Sequence, residues 1–313
     1  MKVALIGAGN MAIEYAKVLN DLKIDFSIFG RNESKSANFK AYITADKMFF
    51  GGLEQNKTKL SGHTHAIIAS NVNNLASNCV TAIEAGVKNI LVEKPGIATP
   101  QEFQLITEKN KAKHSKIFIA YNRRFFASVE KALEMIKEDG GISSFQFDFT
   151  EWSHVIEGLE CDPVEKKYLF LANSTHVVDL AFFMGGHPKE INCYTGGTID
   201  WHNSGGVFTG SGITKDNKLF SYHANWLAPG RWSVELNTKS YKLILKPMEK
   251  LQVQRKGTVA IEEVPIDNSK ELNFKPGLYK QTEAFLKDND EKLCSLEEFA
   301  SILPFYLKIA SYK

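Results

Sequence analysis

"ALIGAGNMA", residues 4–12, decides the fold. An apolar run enters two glycines one residue apart, and Ala12 fills the third place of a G-x-G-x-x-G/A turn. Gly7 permits a tight turn, Gly9 lets the backbone approach a pyrophosphate, and Ala12 lets the next helix pack on the strand. The start of that helix offers free amides to an anion. The stretch predicts a strand, a glycine turn and a helix that hold a dinucleotide.

Outward from this turn, "IDFSIF", "HAIIAS", "KNILVE" and "KIFIA" read as strands. Between them, "NNLASNCVTAIEAG" and "TPQEFQLITEKNKAK" read as helices, the first stopped by Gly86 and the second opened by Thr99 and Pro100. Strands separated by helices make βαβ units, and so a doubly wound parallel sheet over residues 1–121. Residues 42–62 match neither template. Beyond "YNRRFF" the pattern changes to the helix "SVEKALEMIKEDGG", the strand "ISSFQFDFT" and the helix "LANSTHVVDLAFFMGG". From about 190 to 265 strands follow one another across short turns at Pro229-Gly230 and Lys256-Gly257, which predicts an antiparallel meander. The last segment is helical, with Ser295 and Glu298 as a capping box and Pro304 expected to kink or break the final helix. Residues 122–313 thus form an α+β domain, whose C-terminal helices are expected to pack back on the first.

The chain of 313 residues has a net charge of +2 and no long run of one sign, which argues against a nucleic-acid surface or a polybasic membrane anchor. No apolar window reaches bilayer-spanning length, and "MKVALIGAG" meets glycine too soon to be a signal peptide. Cys79, Cys161, Cys193 and Cys294 lie far apart without metal-type spacing and read as reduced thiols of a cytoplasmic protein with no metal site.

The second strand ends in "SIFGRNESK", with no acid where NAD enzymes bind the ribose hydroxyls. A carboxylate there repels a 2′-phosphate, whereas Arg31 grips one with a planar fork and stacks on adenine, aided by Ser34 and Lys35. The cofactor expected is NADP, with NAD as the alternative. "ILVEKPG" (90–96) puts Glu93 and Lys94 at the C-terminal end of a parallel strand, the edge where open α/β sheets carry chemistry. A lysine desolvated beside an oxidised nicotinamide has its pKa lowered toward proton transfer. A surface lysine ahead of a loop proline is the plain alternative.

The succession "GAGNMA", "EKPG", "YNRRF" (121–125) and a later His-x-x-Asp resembles the Gfo/Idh/MocA family of oxidoreductases along essentially the whole chain. The resemblance implies a Rossmann domain joined to a domain with a large open, mainly antiparallel sheet. It also implies a nicotinamide at the junction and homo-oligomers, dimers or tetramers, built through the sheets. The activity implied is NAD(P)-dependent oxidation or reduction at a CH–OH group of a sugar, polyol or nucleotide sugar. By position, Gly7, Gly9, Asn10 and Met11 fall at the pyrophosphate, and Ser70 and Asn71 near it and the nicotinamide ribose. Glu93 falls at that ribose, and Lys94, often before a cis proline, between nicotinamide and substrate. Asn122 and Arg123 fall at the nicotinamide end, and Arg124 in the framework. Many members carry an aspartate four residues before the catalytic histidine, and here that place is Ala172.

His176 matches the family's histidine and titrates in the range needed to exchange a proton with a substrate hydroxyl. Asn173 is the nearest polar neighbour on its helical face, although an amide does not titrate. Asp179 orients substrate or His176, or is an acid favourable to the helix dipole. Trp152, just past a strand, is the tryptophan best placed to stack on a sugar, while packing is the commoner use. Two functions follow: an oxidoreductase using Lys94 and His176, or a catalytically silent protein of the same fold that senses a dinucleotide or sugar.

Overall fold

The computed structural model describes residues 1–96, 99–160 and 163–312, and the elements below are those of the described residues. Two compact units emerge, Met1–Asn122 with Lys270–Ala300, and Arg123–Ser269 with Ser301–Lys313.

The first unit is a seven-stranded sheet. Its strands are β1 (Val3–Ile6), β2 (Phe26–Phe29), β3 (Met48–Phe49), β4 (His65–Ile68), β5 (Asn89–Val92) and β6 (Lys116–Ile119). The short strand Cys294–Ser295 completes it, giving the order Cys294–Ser295, β6, β5, β4, β1, β2, β3. All neighbours are parallel except Cys294–Ser295, which runs antiparallel to β6. β1, β2 and β4 are buried along their length, as strands covered on both faces must be, which is why they read as unbroken apolar runs. Helices α1 (Asn10–Asp21), α2 (Leu75–Glu84) and α3 (Pro100–Asn110) make the crossovers. Gly86 closes α2 at φ +85°, and a full capping box between Thr99 and Glu102 opens α3. Residues 42–62, which matched no template, hold short 3₁₀ turns and the two-residue β3. The helix Leu278–Leu286 packs on α1, where the Tyr279 hydroxyl donates to Asp21 Oδ2 at 3.0 Å.

The second unit is an eight-stranded, mainly antiparallel sheet. In chain order it holds β7 (Ser144–Asp148), β8 (Pro188–Gly196), β9 (Val207–Thr214), β10 (Leu219–Asn225), β11 (Ser233–Asn237), β12 (Tyr241–Leu245), β13 (Gln252–Arg255) and β14 (Ile261–Glu263). The order β14-β13-β12-β11-β7-β10-β9-β8 corrects the expected single meander. β7 lies between two hairpin runs and pairs parallel with β10, because the segment joining β10 to β11 passes over it instead of turning tightly. α4 (Ala127–Glu138) and α5 (Thr175–Gly185) are its longer helices. A π-helical turn, Phe170–Ser174, leads into α5, which packs on β7 so closely that a Cβ on Gly185 meets the Phe145 ring at 2.5 Å.

The final helix, Leu296–Ala310, continues through Pro304, so the expected break does not occur. Proline removes a single donor, and the buried Phe299, Ile302, Tyr306 and Ile309 keep the segment packed. Of the box at its start, Glu298 N donates to Ser295 Oγ at 3.1 Å. Among the described residues no helix is long and apolar enough to cross a membrane. No group of three His, Cys, Asp or Glu residues there suits a metal ion. Cys79, Cys193 and Cys294 are free thiols, and Cys161 lies outside the described residues.

Candidate functional site

In the first unit, parallel register brings the ends of β1, β2 and β4 to one level, with Gly7 N on Phe29 O at 2.8 Å and Ala69 N on Ile6 O at 2.7 Å. Around this edge lies a cavity of about 500 Å³. It is lined by the turn Gly7–Gly9, by Arg31, Asn32 and Lys35, by the loop 51–55, and by Ser70 and Asn71 ahead of α2. Gly7 has φ +133°, and a Cβ there falls 2.2 Å from Ala69 O, so only glycine fits. Gly9 is the N-cap of α1, and a Cβ on it meets nothing within 4 Å: the backbone faces open space. No acid occupies the first turn of α1, so its amides and dipole face the cavity undiminished. A pyrophosphate suits such a cradle. Ser70 Oγ is held by Asn78 Nδ2 at 3.0 Å.

Of the residues expected at a dinucleotide, Gly7, Gly9, Arg31, Ser70 and Asn71 line this cavity together. Asn10 and Met11 open α1 just beyond it. Two exposed cations, Arg31 and Lys35, share it with one acid, Glu54, which the sequence reading left inside the unmatched 42–62 stretch. Glu54 is engaged by the Thr81 hydroxyl at 2.9 Å and lies 3.8 Å from Lys57.

At the end of β5, Glu93 is buried and Tyr15 Oη donates to it at 2.9 Å, while Lys94 N donates to its other oxygen at 3.2 Å. Burial raises the Glu93 carboxyl, and the charges of Lys94 and Lys275 with the Tyr15 hydroxyl pull it back. Burial, then the Glu93 charge, hold the Tyr15 phenol well above its ordinary range. The Lys94–Pro95 peptide is cis. Lys275, whose Nζ lies 3.0 Å from Met11 Sδ, enters this neighbourhood from 264 residues away, and no local pattern announces it. Asn122 is buried, with Nδ2 on Pro276 O at 2.9 Å.

In the second unit, Trp232 gathers the predicted residues. The His176 ring centroid is 6.3 Å from Trp232, and the Arg123 guanidinium stands 4.8 Å over the indole. His176 is only 5% exposed. Asn173 Nδ2 and Ser174 Oγ, both on the π-turn, donate to Glu151 Oε1 at 3.1 and 2.7 Å. Glu151, just past β7, is itself 2% exposed, and Arg231 Nη1 lies 3.4 Å from its Oε2. Burial pushes the Glu151 carboxyl up to about 7, against Ser174, Arg231, Asn173 and Trp232, which favour its charge. The sequence reading passed over Glu151, whose partners are more than 20 residues distant in the chain. Trp152 is 49% exposed, and its indole N–H is fixed on Gly230 O at 2.9 Å.

Asp179 is paired within the second unit. It lies beyond the first turn of α5, fully buried, and receives Arg124 Nε at 2.8 Å and Nη2 at 2.6 Å. Both of its carboxylate oxygens are thus engaged by Arg124 inside the unit.

No protein-family model and no curated protein matches the chain. Solved structures share its fold from end to end. An oxidoreductase from Agrobacterium radiobacter, in complex with NAD+, L-tartaric acid and magnesium, is 15% identical over 100% of this chain and 96% of its own, with a TM-score of 0.79. UDP-N-acetylglucosamine 3-dehydrogenase from Acidithiobacillus ferrooxidans is 12% identical over 99% and 97%, with a TM-score of 0.75. Levoglucosan dehydrogenase, in complex with NADH and L-sorbose, is 18% identical over 99% and 96%, with a TM-score of 0.74. At such identities the likeness establishes the two-unit fold.

Proposed function

We propose that this chain is an NADP-preferring oxidoreductase of the Gfo/Idh/MocA type, acting between a hydroxyl and a keto carbon of a sugar, polyol or nucleotide sugar. The observation that carries the reading is the glycine cradle at the C-terminal edge of β1, β2 and β4, which faces a cavity furnished with Arg31 and Lys35. The sugar and dinucleotide ligands of proteins with this fold support it. When bound, the nicotinamide supplies hydride exchange with the substrate carbon. Gly7, Gly9, Asn10 and Met11 hold the pyrophosphate by backbone amides, Arg31 and Lys35 the 2′-phosphate, and Ser70, Asn71, Glu93 and Asn122 the nicotinamide half. Lys94 and His176 are the groups that take or give the substrate proton, and Asn173, Arg123 and Trp152 hold the sugar.

Side-by-side titration with NADPH and NADH tests the cofactor, and a screen of keto-sugars and polyols tests the chemistry. Tighter NADPH binding and turnover lost in Lys94→Ala with cofactor still bound are expected. Wild-type turnover in that variant would remove the assignment. A second reading, a silent sensor of the same fold, is favoured by Ala172; it predicts NADPH binding without turnover of any member of the panel.

A further inference from the structure

Two carboxylate–arginine pairs of the second unit, Arg124 with Asp179 and Arg231 with Glu151, are of opposite character. Arg124 and Asp179 are each 1% exposed and joined by two short bonds. Arg231 meets Glu151 through a single long approach of 3.4 Å, and its side chain is 45% exposed. Charge-assisted N–H···O bonds run nearer 2.7–2.9 Å, so Arg231 is only loosely held by its carboxylate.

What holds Arg231 instead is aromatic. Its guanidinium lies 4.9 Å over Trp152 and 4.6 Å over Trp232. Stacking uses the flat faces of a guanidinium and leaves its in-plane N–H fork available, the part that binds carboxylate or phosphate side-on. Trp152 is pinned through Gly230, so the fork is held in place on the exposed rim of the cluster that contains His176 and Arg123. From this geometry we infer that Arg231 is an anion receptor, and that the sugar-like ligand of this unit carries a carboxylate or a phosphate. The inference takes this face as the substrate face, and so rests on the function proposed above.

Glu151 is the competitor for the same fork, and its position makes the exchange feasible. Ser174 and Asn173 satisfy Oε1 whether or not Arg231 is present. An arriving anion that draws Arg231 outward leaves Glu151 with less positive charge, and the carboxylate then takes a proton from solvent. With its carboxyl near 7 beforehand, binding at pH 7 should take up roughly half a proton. Anion affinity therefore rises as pH falls through neutrality. Besides Arg231, charged or titratable groups near Glu151 among the described residues include His176 and Arg123, which both meet Trp232, and Asp148, which accepts from Thr150 N at 2.6 Å and lies 3.9 Å from His223. The glutamate variant is the one that tells proton uptake at Glu151 from uptake at any of these neighbours.

The test uses the full chain, with tryptophan fluorescence and calorimetry in buffers of different ionisation enthalpy. The probes are D-glucuronate, D-glucose 6-phosphate and uncharged D-glucose. An anionic probe should bind at least tenfold more tightly than glucose, and whichever anion wins tells a sugar acid from a sugar phosphate. Arg231→Gln should weaken it about 10- to 100-fold, the range for a lost hydrogen bond to a charged group. Glu151→Gln should bind it more tightly and abolish the proton uptake. Unchanged far-ultraviolet circular dichroism in both variants shows that they are folded. Equal binding of glucose and the anions, no anion binding, an Arg231→Gln variant of wild-type affinity, or proton uptake that survives Glu151→Gln overturns the inference. Failure of the oxidoreductase reading has another signature: anion binding persists while no substrate oxidises or reduces the cofactor.

Discussion

Arg124 Nε and Nη2 meet the two oxygens of Asp179 at 2.8 and 2.6 Å in a fully buried pair that ties the 3₁₀ turn ahead of α4 to the middle of α5. Tyr306 Oη adds a longer contact to Asp179 at 3.5 Å, and Arg124 also lies 4.6 Å over the Phe183 ring. Removing either partner strands a charge in the interior. Asp179→Ala and Arg124→Ala should each lower unfolding stability by about 3–5 kcal/mol, and the double variant should lose less than the sum. Chemical denaturation measures this; strict additivity would mean that the two residues do not act as a pair.

Two glycines of one turn should answer differently to substitution. Gly7→Ala combines a strained backbone with a clash against Ala69 O, and should cost about 2–4 kcal/mol of stability. Gly9→Asp places a good helix cap in open space, so the melting temperature should hold or rise slightly. The same aspartate puts negative charge at the proposed pyrophosphate cradle, and dinucleotide binding should vanish. A folded Gly9→Asp variant with undiminished NADPH affinity would count against the cradle.

In the proposed reading, cofactor choice rests on two exposed cations, Arg31 and Lys35, beside Glu54, an acid already engaged by Thr81. Arg31→Ala and Lys35→Ala should each weaken NADPH by about tenfold, the loss of one charge-assisted contact, and leave NADH nearly unchanged. Equal losses for both cofactors would place these side chains on the shared part of the dinucleotide.

The Glu151 carboxyl, raised from 4.5 to about 7, has a signed consequence for stability. The folded state binds more protons than the unfolded one between these values, so the stability present below pH 4.5 is lost as pH rises through about 7. Glu151→Gln should remove this slope and gain at most about 3 kcal/mol relative to wild type at pH 8. Denaturant midpoints at pH 5 and pH 8 decide it, and parallel curves for the two proteins would be the contrary result.

What was legible in the sequence was what repeats or turns locally. β1, its glycine turn and α1 announce themselves because burial on both faces and a φ > 0 turn each demand particular residues. The two residues of β3 are too few to show any period. The slot of β7 beside β10 depends on a crossing that no short window contains. Glu151 has its donors 22 and 23 residues away, so nothing near it tells a buried acid from a loop acid. Asp179 was visible as a polar residue on a helix, but its partner lies 55 residues upstream.

The outer side of β6 is covered by Cys294–Ser295, and Lys116 at its start is paired with Asp290 at 2.9 Å, 174 residues later. During synthesis, β1 to β6 emerge early, yet the segment that closes this sheet emerges long after them. Until then β6 offers a row of unpaired amides and carbonyls to any neighbouring chain on the ribosome. Chains stopped ahead of Asp290 should consequently collect in the insoluble fraction or bind chaperones. Full solubility of such a truncated chain would show that the late strand is not needed as a cover.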